Sequence, residues 1–395
     1  MLVGRLLLAA ALHTEGRERA KMRQWAMGVA VLTVWAAAAS GAETKVGPKG
    51  QFIVDGKAVV PLAVWCQPEY LLEYWRNLGL GCVASTPGRG GEAVGLEEYL
   101  RLAERSKLGV IASFDEKAAG LPAVWGWNGG YGDRDVRRQY ERLKERDGRH
   151  MVQTNFRVHD LLTGEKTEYY REAIKWTDSV ICHVWPEALG SDRRNLRNVA
   201  TVVDRLREWS QDRPNGEVSV WTDLNPHEWR IKKEEGGALL AAPTPAEFRF
   251  QVWLALIHGA DAICVFPISF DPFVYSQIPA RTEKEIMRQA QLVKRFSDVL
   301  VAEESPAKIA VRGSLKAGIV DVATRRYGGK DYVFLVNGVT EAQTVRLEVE
   351  GLGKKLELRD AIKDKAVAAK DGAYEEELKG LELRIWQIGI AEKAE

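Results

Sequence analysis

SVICHVW (179–185), RNLRNVATVVDRLREWS (194–210), VSVWTDL (218–224), AEFRFQVWLALIHG (246–259) and ADAICVFPI (260–268) decide the fold. The first, third and fifth runs are short and rich in β-branched and aromatic residues, the composition of strands buried on both faces. The second and fourth repeat apolar residues at three- and four-residue spacing, which places them on one face of a helix. A strand followed by a helix, repeated, is the unit of a parallel sheet covered by helices.

The same rhythm extends toward the N-terminus. PLAVWC (61–66) leads to PEYLLEYWRNLG, and LGCVAST (80–86) leads to LEEYLRLAERSK. LGVIASF (108–114) is followed by a short irregular stretch, AVWGWN (123–128) by RDVRRQYERLKERD, and HMVQTNF (150–156) by TEYYREAIKW. EKEIMRQAQLVKRFSDVL completes the eighth unit. Eight units over residues 52–302 predict a (β/α)8 TIM barrel, an α/β architecture that uses about 250 residues. A doubly wound open sheet is the competitor, but no GxGxxG follows any strand. FIVDGKAVV (52–60) reads as a small hairpin turning at Asp55-Gly56. From 303 to 395 the pattern changes to alternating runs such as DYVFLVNG, TVRLEVEG and LELRIWQIGI, with Gly328-Gly329 and Asn337-Gly338 as turns. These predict a small C-terminal antiparallel β-domain, sandwich-like and packed on the barrel.

Residues 1–42 read as a targeting segment. From Met22 a basic start precedes AMGVAVLTVWAAAA and then Ser40-Gly41-Ala42. A basic start, a short apolar run and small residues before Glu43 form a secretory signal peptide, with Met22 as a candidate true start. The apolar run falls short of the ~20 residues of a membrane-spanning helix. An exported, periplasmic or extracellular protein with no membrane association after cleavage is expected. The four cysteines, at 66, 82, 182 and 264, each sit in an apolar run and read as buried thiols. No histidine–cysteine cluster has metal-ligand spacing, so neither a metal nor another cofactor is expected. Lys and Arg total 56 against 55 Asp and Glu, which leaves no basic field for nucleic acid. TPGRGGE (86–92) lacks the ending of a phosphate loop and reads as a loop over the mouth. The loop 224–243 is long enough to be a lid or binding loop.

In a TIM barrel the chemistry sits at the C-terminal strand ends. Here those ends carry Trp65, Ser85, Asp115-Glu116, Trp127 with Tyr131, Asn155, His183 with Trp185, Trp221 with Asp223, and Phe266 with Phe270. Flat aromatic rings beside polar groups suit pyranose rings, whose C–H faces pack on a π surface. Packing inside the core is the alternative for each tryptophan.

PTPAEFRFQVWLALIHGADAICVFPISF (243–270) resembles the seventh-helix and eighth-strand segment of secreted TIM-barrel glycoside hydrolases. FIVDGKAVVPLAVW resembles their first strand, WTDSVICHVWP (176–186) their sixth, and LPAVWGWNGGYGDRDVRRQYERLKERDGRHMVQTNF (121–156) the segment around their fourth. The similarity runs in order through residues 52–302. It implies a carbohydrate substrate or ligand. The departures fall on the catalytic signature. Where such enzymes carry an acid/base carboxylate after the fourth strand, this chain has Asn128-Gly129-Gly130-Tyr131-Gly132, and its first carboxylate is Asp133. Where many carry a glutamate after the seventh strand it has Trp221-Thr222-Asp223, and His183 replaces an aspartate in the sixth, with Glu187 after Pro186.

Glycoside hydrolysis takes one protonated and one ionised carboxyl group, about 5–10 Å apart. Asp133, Glu187 and Asp223 are the candidates, with Asp115, Glu116 and Asn155 as sugar-binding groups and His183 either orienting one of the acids or binding a sugar hydroxyl. Each acid has a plainer role open to it. Asp133 fits a helix N-cap, Asp223 a turn ahead of Asn225-Pro226, and Glu187 the first turn of a helix. Two functions follow: a secreted glycoside hydrolase acting on a poly- or oligosaccharide, or a glycan-binding barrel of the same architecture without turnover.

Overall fold

A computed structural model describes residues 42–87, 94–132, 135–184, 195–211, 213, 215–230, 239–270, 273–314, 319–350, 356–367 and 373–390. Eight parallel strands close into a barrel: β1 (Leu62–Trp65), β2 (Cys82–Ala84), β3 (Gly109–Ala112), β4 (Val124–Tyr131), β5 (Met151–Phe156), β6 (Ser179–Val184), β7 (Ser219–Leu224) and β8 (Ala262–Val265). Each pairs with its sequence neighbour, and β8 closes on β1. Around it lie α1 (Leu72–Asn77), α2 (Leu96–Arg105), α3 (Val136–Arg146), α4 (Val158–Thr163), α5 (Thr167–Ala173), α6 (Asn198–Gln211), α7 (Pro245–Ile257) and α8 (Ala280–Leu300). The third unit has a single 3-10 turn, Glu116–Ala118, in place of a helix. No described helix is long and apolar enough to cross a membrane. The leader expected over residues 1–42 lies, except for Ala42, outside the described residues.

The apolar strand runs follow from burial on both faces. Val64, Val83, Val110, Val152, Val180, Val220 and Ile263 point outward into the layer beneath the helices. Ala63, Cys82, Ala84, Ile111, Met151, Ile181, Trp221, Ala262 and Cys264 fill the interior. Small residues on one side of that interior leave room for the large ones on the other. At Gly109 a Cβ would meet the Trp125 ring at 1.9 Å, so only glycine lets that ring lie against the strand. The hairpin at Phe52–Val54 and Lys57–Val59, turning at Asp55-Gly56, closes the N-terminal end of the barrel. Its Phe52 ring meets Trp221 edge-on at 5.4 Å and Trp125 at 5.8 Å. All four cysteines are free thiols.

The chain past α8 forms two antiparallel sheets. Strands β9 (Ile309–Gly313), β10 (Val320–Tyr327), β11 (Lys330–Asn337), β12 (Gln343–Val349), β13 (Leu356–Asp360), β14 (Lys365–Val367), β15 (Ala373–Leu378) and β16 (Leu383–Ile390) arrange as β9-β12-β15 and β10-β11-β16-β13-β14. β11 is buried on both faces, which explains its continuous apolar run. Val333 and Leu335 enter the sandwich core, whereas Phe334 and Val336 join the barrel's outer layer. Phe334 stacks on Trp253 of α7, with ring centroids 5.9 Å apart. That sandwiched position accounts for the apolar character of α7 all round. The helix starts on a capping box: Thr244 Oγ1 accepts from the Glu247 N–H at 3.2 Å, and Glu247 Oε2 accepts from the Thr244 N–H at 2.7 Å.

Candidate functional site

Along β7 the inward side chains are Ser219, Trp221 and Asp223, so Trp221 and Asp223 occupy different depths of one barrel. Trp221 lies low, fully buried beside Phe52, and its Nε1 donates to Ser219 Oγ at 3.0 Å. It fills the floor and offers no face to a ligand, contrary to the sequence expectation. Asp223 lies one layer higher, toward the mouth. The turn after β7 is made by Asn225, whose Oδ1 accepts the His227 N–H at 3.3 Å and whose Nδ2 donates to the His227 carbonyl at 2.9 Å. The turn-forming role open to Asp223 therefore belongs to Asn225.

His183 on β6 is the register partner of Asp223, and its Nδ1 is hydrogen-bonded to Asp223 Oδ2. Asp223 is 0% exposed, and its other carboxylate oxygen has no hydrogen-bond partner. On its opposite side β8 places Cys264 in register. Burial pushes the Asp223 carboxyl above the usual range, with His183 and the Cys264 thiol pulling it partly back. The same confinement pushes the Cys264 thiol up: burial first, then the neighbouring carboxylate. Trp65 from β1 meets the imidazole edge-on at 4.7 Å, and Phe266, just past β8, meets it at 5.7 Å. Trp65, His183, Asp223 and Phe266 thus form one cluster drawn from four strands or strand ends.

On the β4–β5 side the mouth is polar. Asn155 Nδ2 donates to Asn128 Oδ1 at 3.3 Å and to the Gly130 carbonyl at 3.2 Å, while its Oδ1 is buried without a partner. Asn128 Nδ2 donates to Ser85 Oγ at 3.2 Å. Ser85 and Cys66, the residues directly after β2 and β1, adopt φ of 72° and 48°. Left-handed backbone at non-glycine residues is held against its own preference, and such positions cluster at ligand sites. Asn128 has no acidic neighbour to advertise it, and it turns inward only because the bulge at Trp125 reverses the faces that follow on β4. Gln67 is likewise easy to miss. It is buried, donates to the Trp65 and Tyr275 carbonyls at 2.8 and 3.1 Å, and accepts from Trp75 Nε1 at 2.8 Å. It thereby ties the loops after β1 and β8 together.

Three other sequence-predicted residues lie elsewhere. Trp127 is fully buried outside the barrel, donating through Nε1 to Asp147 Oδ2 at 2.9 Å and packed edge-on against Phe114 at 5.0 Å. A bulge explains it. Val110 and Ile111 of β3 pair with Val124 and Gly126, so Trp125 is an extra residue and the face of every later side chain switches. Asp115 caps the 3-10 turn by accepting the Lys117 N–H at 2.9 Å. Glu116 meets Arg146 at the end of α3 at 3.6 Å. Both acids therefore sit on the barrel's outer flank, away from the axis. Tyr131, at the end of β4, is 43% exposed. The N-cap of α3 is Asp135, which accepts the Arg138 N–H at 3.1 Å. Asp133, Trp185 and Glu187 lie outside the described residues.

An aromatic succession leads outward from the cluster. Trp65 stacks on Phe266 at 6.4 Å, Phe266 neighbours Phe270 at 6.0 Å, and Phe270 neighbours Phe273 at 6.4 Å. Phe270 and Phe273, paired across Ser269–Phe270 and Phe273–Val274, are 59% and 57% exposed. The mouth thus combines a buried imidazole–carboxylate pair, an amide-rich wall and an aromatic lip.

No protein-family model and no curated protein matches the sequence. Solved structures do match in fold. A glycoside hydrolase has a TM-score of 0.56 at 10% identity, covering 89% of this chain and 97% of its own. An α-galactosidase I from Mortierella vinacea has 0.51 at 12%, covering 85% and 98%. A noncanonical maltogenic α-amylase from Thermotoga neapolitana has 0.51 at 12%, covering 83% and 98%. At these identities the likeness is one of fold, and it spans barrel and β-domain together. The chain has the TIM-barrel fold of glycoside hydrolases, followed by C-terminal antiparallel sheets.

Proposed function

We propose that the protein is an exported glycoside hydrolase that takes a poly- or oligosaccharide into the barrel mouth. The observation that carries this reading is the aromatic succession from Trp65 to Phe273, which runs from a buried polar pair to an exposed lip on a glycosidase-type barrel. Sugar rings pack on such faces while amide and imidazole groups take their hydroxyls. The polar partners are Asn128, Asn155 and His183, with Tyr131 at the rim. Water is the co-substrate, and the reaction as read needs no cofactor.

Hydrolysis needs a group that protonates the departing oxygen and a group that attacks or activates water. Asp223 is too deeply buried to touch a sugar, so a two-carboxylate reaction would draw on Asp133 and Glu187. The test is release of reducing ends from a panel of α-glucans, α-galactosides, xylan, cellulose and pectin, with Glu187→Gln and Asp133→Asn beside the wild type. Turnover in the wild type with a loss of at least about 100-fold in one variant supports the assignment. Export is tested by sequencing the mature N-terminus, expected at Glu43.

Non-catalytic glycan binding is the second reading, favoured by one observation: among the described residues of the mouth, the only carboxylate on the barrel axis is buried. It predicts retardation of the wild type in polysaccharide-containing gels with no reducing ends formed from any member of the panel. Retardation lost in Phe270→Ala and Phe273→Ala would place binding at the lip.

A further inference from the structure

We infer that His183 is the member of the buried pair that exchanges a proton with the sugar, and that Asp223 is its positioning residue. This rests on the reading that the mouth takes a glycan, and it reverses the roles the sequence suggests. Four observations converge. His183 and Asp223 are register partners on adjacent strands, so the backbone sets their separation. The imidazole keeps 15% of its side chain exposed while Asp223 keeps none. Trp65 and Phe266 meet the ring at interplanar angles of 84° and 87°, restricting its rotation. Finally, Nδ1 is the nitrogen engaged by Asp223, which leaves Nε2, on the far edge of the ring, as the nitrogen away from the carboxylate.

A carboxylate on Nδ1 fixes the tautomer and stabilises the positive charge of the imidazolium, whose Nε2–H is then the donor. The step balances simply. The Nε2 proton passes to the glycosidic oxygen as the C–O bond breaks, its electron pair staying on that oxygen. Water bonds to the anomeric carbon and gives up one proton, and the imidazole regains its own from solvent. One water is consumed and two hydroxyl-ended sugars are formed. Asp223 gains and loses nothing; it holds the ring. Besides Asp223, the titratable groups against this pair among the described residues are the thiols of Cys264 and Cys182 and, beyond Cys264, Cys82, all pushed upward by burial and so neutral at working pH. Trp65 and Phe266, whose rings face the imidazole, carry no titrating group.

Side-chain nitrogen NMR of the full chain, which has six histidines, tests the pair directly. The His183 signals are assigned by their loss in His183→Gln. The wild type is expected to hold its neutral-ring proton on Nδ1, the nitrogen that faces Asp223. Asp223→Asn is expected to move that proton to Nε2 in part of the population, and Asp223→Glu to return it to Nδ1. An unchanged tautomer in Asp223→Asn, or a wild-type proton on Nε2 alone in the neutral ring, overturns the proposal. Where Asp223→Asn does not fold, Asp223→Glu and the wild-type tautomer still decide. On whichever polysaccharide of the panel is cleaved, Asp223→Asn is expected to lower kcat at least tenfold with KM within threefold, and Asp223→Glu to recover part of kcat. A panel without turnover removes the hydrolase reading and the proton step with it. Maltohexaose or galactotriose shifting Nε2 would then leave His183 as a binding contact only. Turnover with His183→Gln fully active keeps the hydrolase reading and overturns this inference.

Discussion

Two of the histidine–aspartate clusters among the described residues have the same chemistry and opposite settings. At the junction of barrel and β-domain, Asp321 accepts from Arg197 through both oxygens, at 2.6 and 2.7 Å, and meets His258 Nε2 at 3.1 Å. His258 Nδ1 meets Asp204 at 2.7 Å. Burial alone would raise Asp321, but Arg197 and His258 hold it down to about 2. Burial alone would lower His258, but its two aspartates lift it to about 9. At the mouth, Asp223 has no arginine beside it among the described residues, one of its oxygens lacks a partner, and burial pushes it up. A carboxylate with every lone pair used and a cation beside it ties two parts of a fold together. One kept buried and under-satisfied costs stability, and is the kind of group a site retains.

The largest effect that would sharpen this contrast is expected at the junction. Asp321→Ala strands Arg197 and His258 and should cost about 3–5 kcal/mol, as when one partner of a buried ion pair is removed. The urea midpoint measures it. A cost below about 1 kcal/mol would mean the junction cluster is screened like a surface pair.

The pH dependence of that midpoint should carry the same signature. His258 is raised above its ordinary value of about 6.5, so its contribution is whole below that pH and is lost as pH climbs through about 9. Asp321 is depressed, so its contribution is whole above about 3.9 and is lost as pH falls through about 2. Stability should be flattest between roughly pH 4 and 6.5, by the linkage of proton binding to folding.

At the mouth the sign reverses. The Asp223 carboxyl is raised, so it favours the folded state most at low pH and progressively less as pH passes upward through its folded value. Asp223→Asn removes a buried charge while keeping shape and should leave stability at pH 7 within about 1 kcal/mol of wild type. A loss like that expected for Asp321→Ala would erase the difference between the two pairs and make Asp223 architectural.

The sequence made the barrel legible because every strand is short, apolar and followed by a helix signal, and periodicity survives without knowledge of contacts. The pairing of Trp221 with Asp223 near the end of β7 was equally legible. Depth was not. Nothing local separates Trp221, against Phe52 at the floor, from Trp65, against His183 at the mouth, because the difference is set by strand stagger and by a hairpin many residues away. Parity failed at Trp127 for a physical reason: a one-residue bulge at Trp125 reverses the faces that follow. Asp115 and Glu116 misled in another way. Strand ends usually point to the mouth, but here the missing third helix lets the chain fold straight down the flank.

That flank supplies the smallest and most discriminating expectation. Asp115 accepts one backbone N–H, so Asp115→Ala should cost about 1 kcal/mol, the ordinary value of a lost cap. Glu116 and Arg146 are largely exposed, and an exposed ion pair is worth about 0–1 kcal/mol, so Glu116→Gln should be near neutral. Neither variant should change glycan affinity or turnover, since both acids lie on the far side of the Phe114–Trp127 packing from the barrel axis. A fall of threefold or more in affinity for Glu116→Gln would show a glycan reaching over the third strand onto the flank. The cleft would then be a groove across the barrel top, and the buried pair its deepest point.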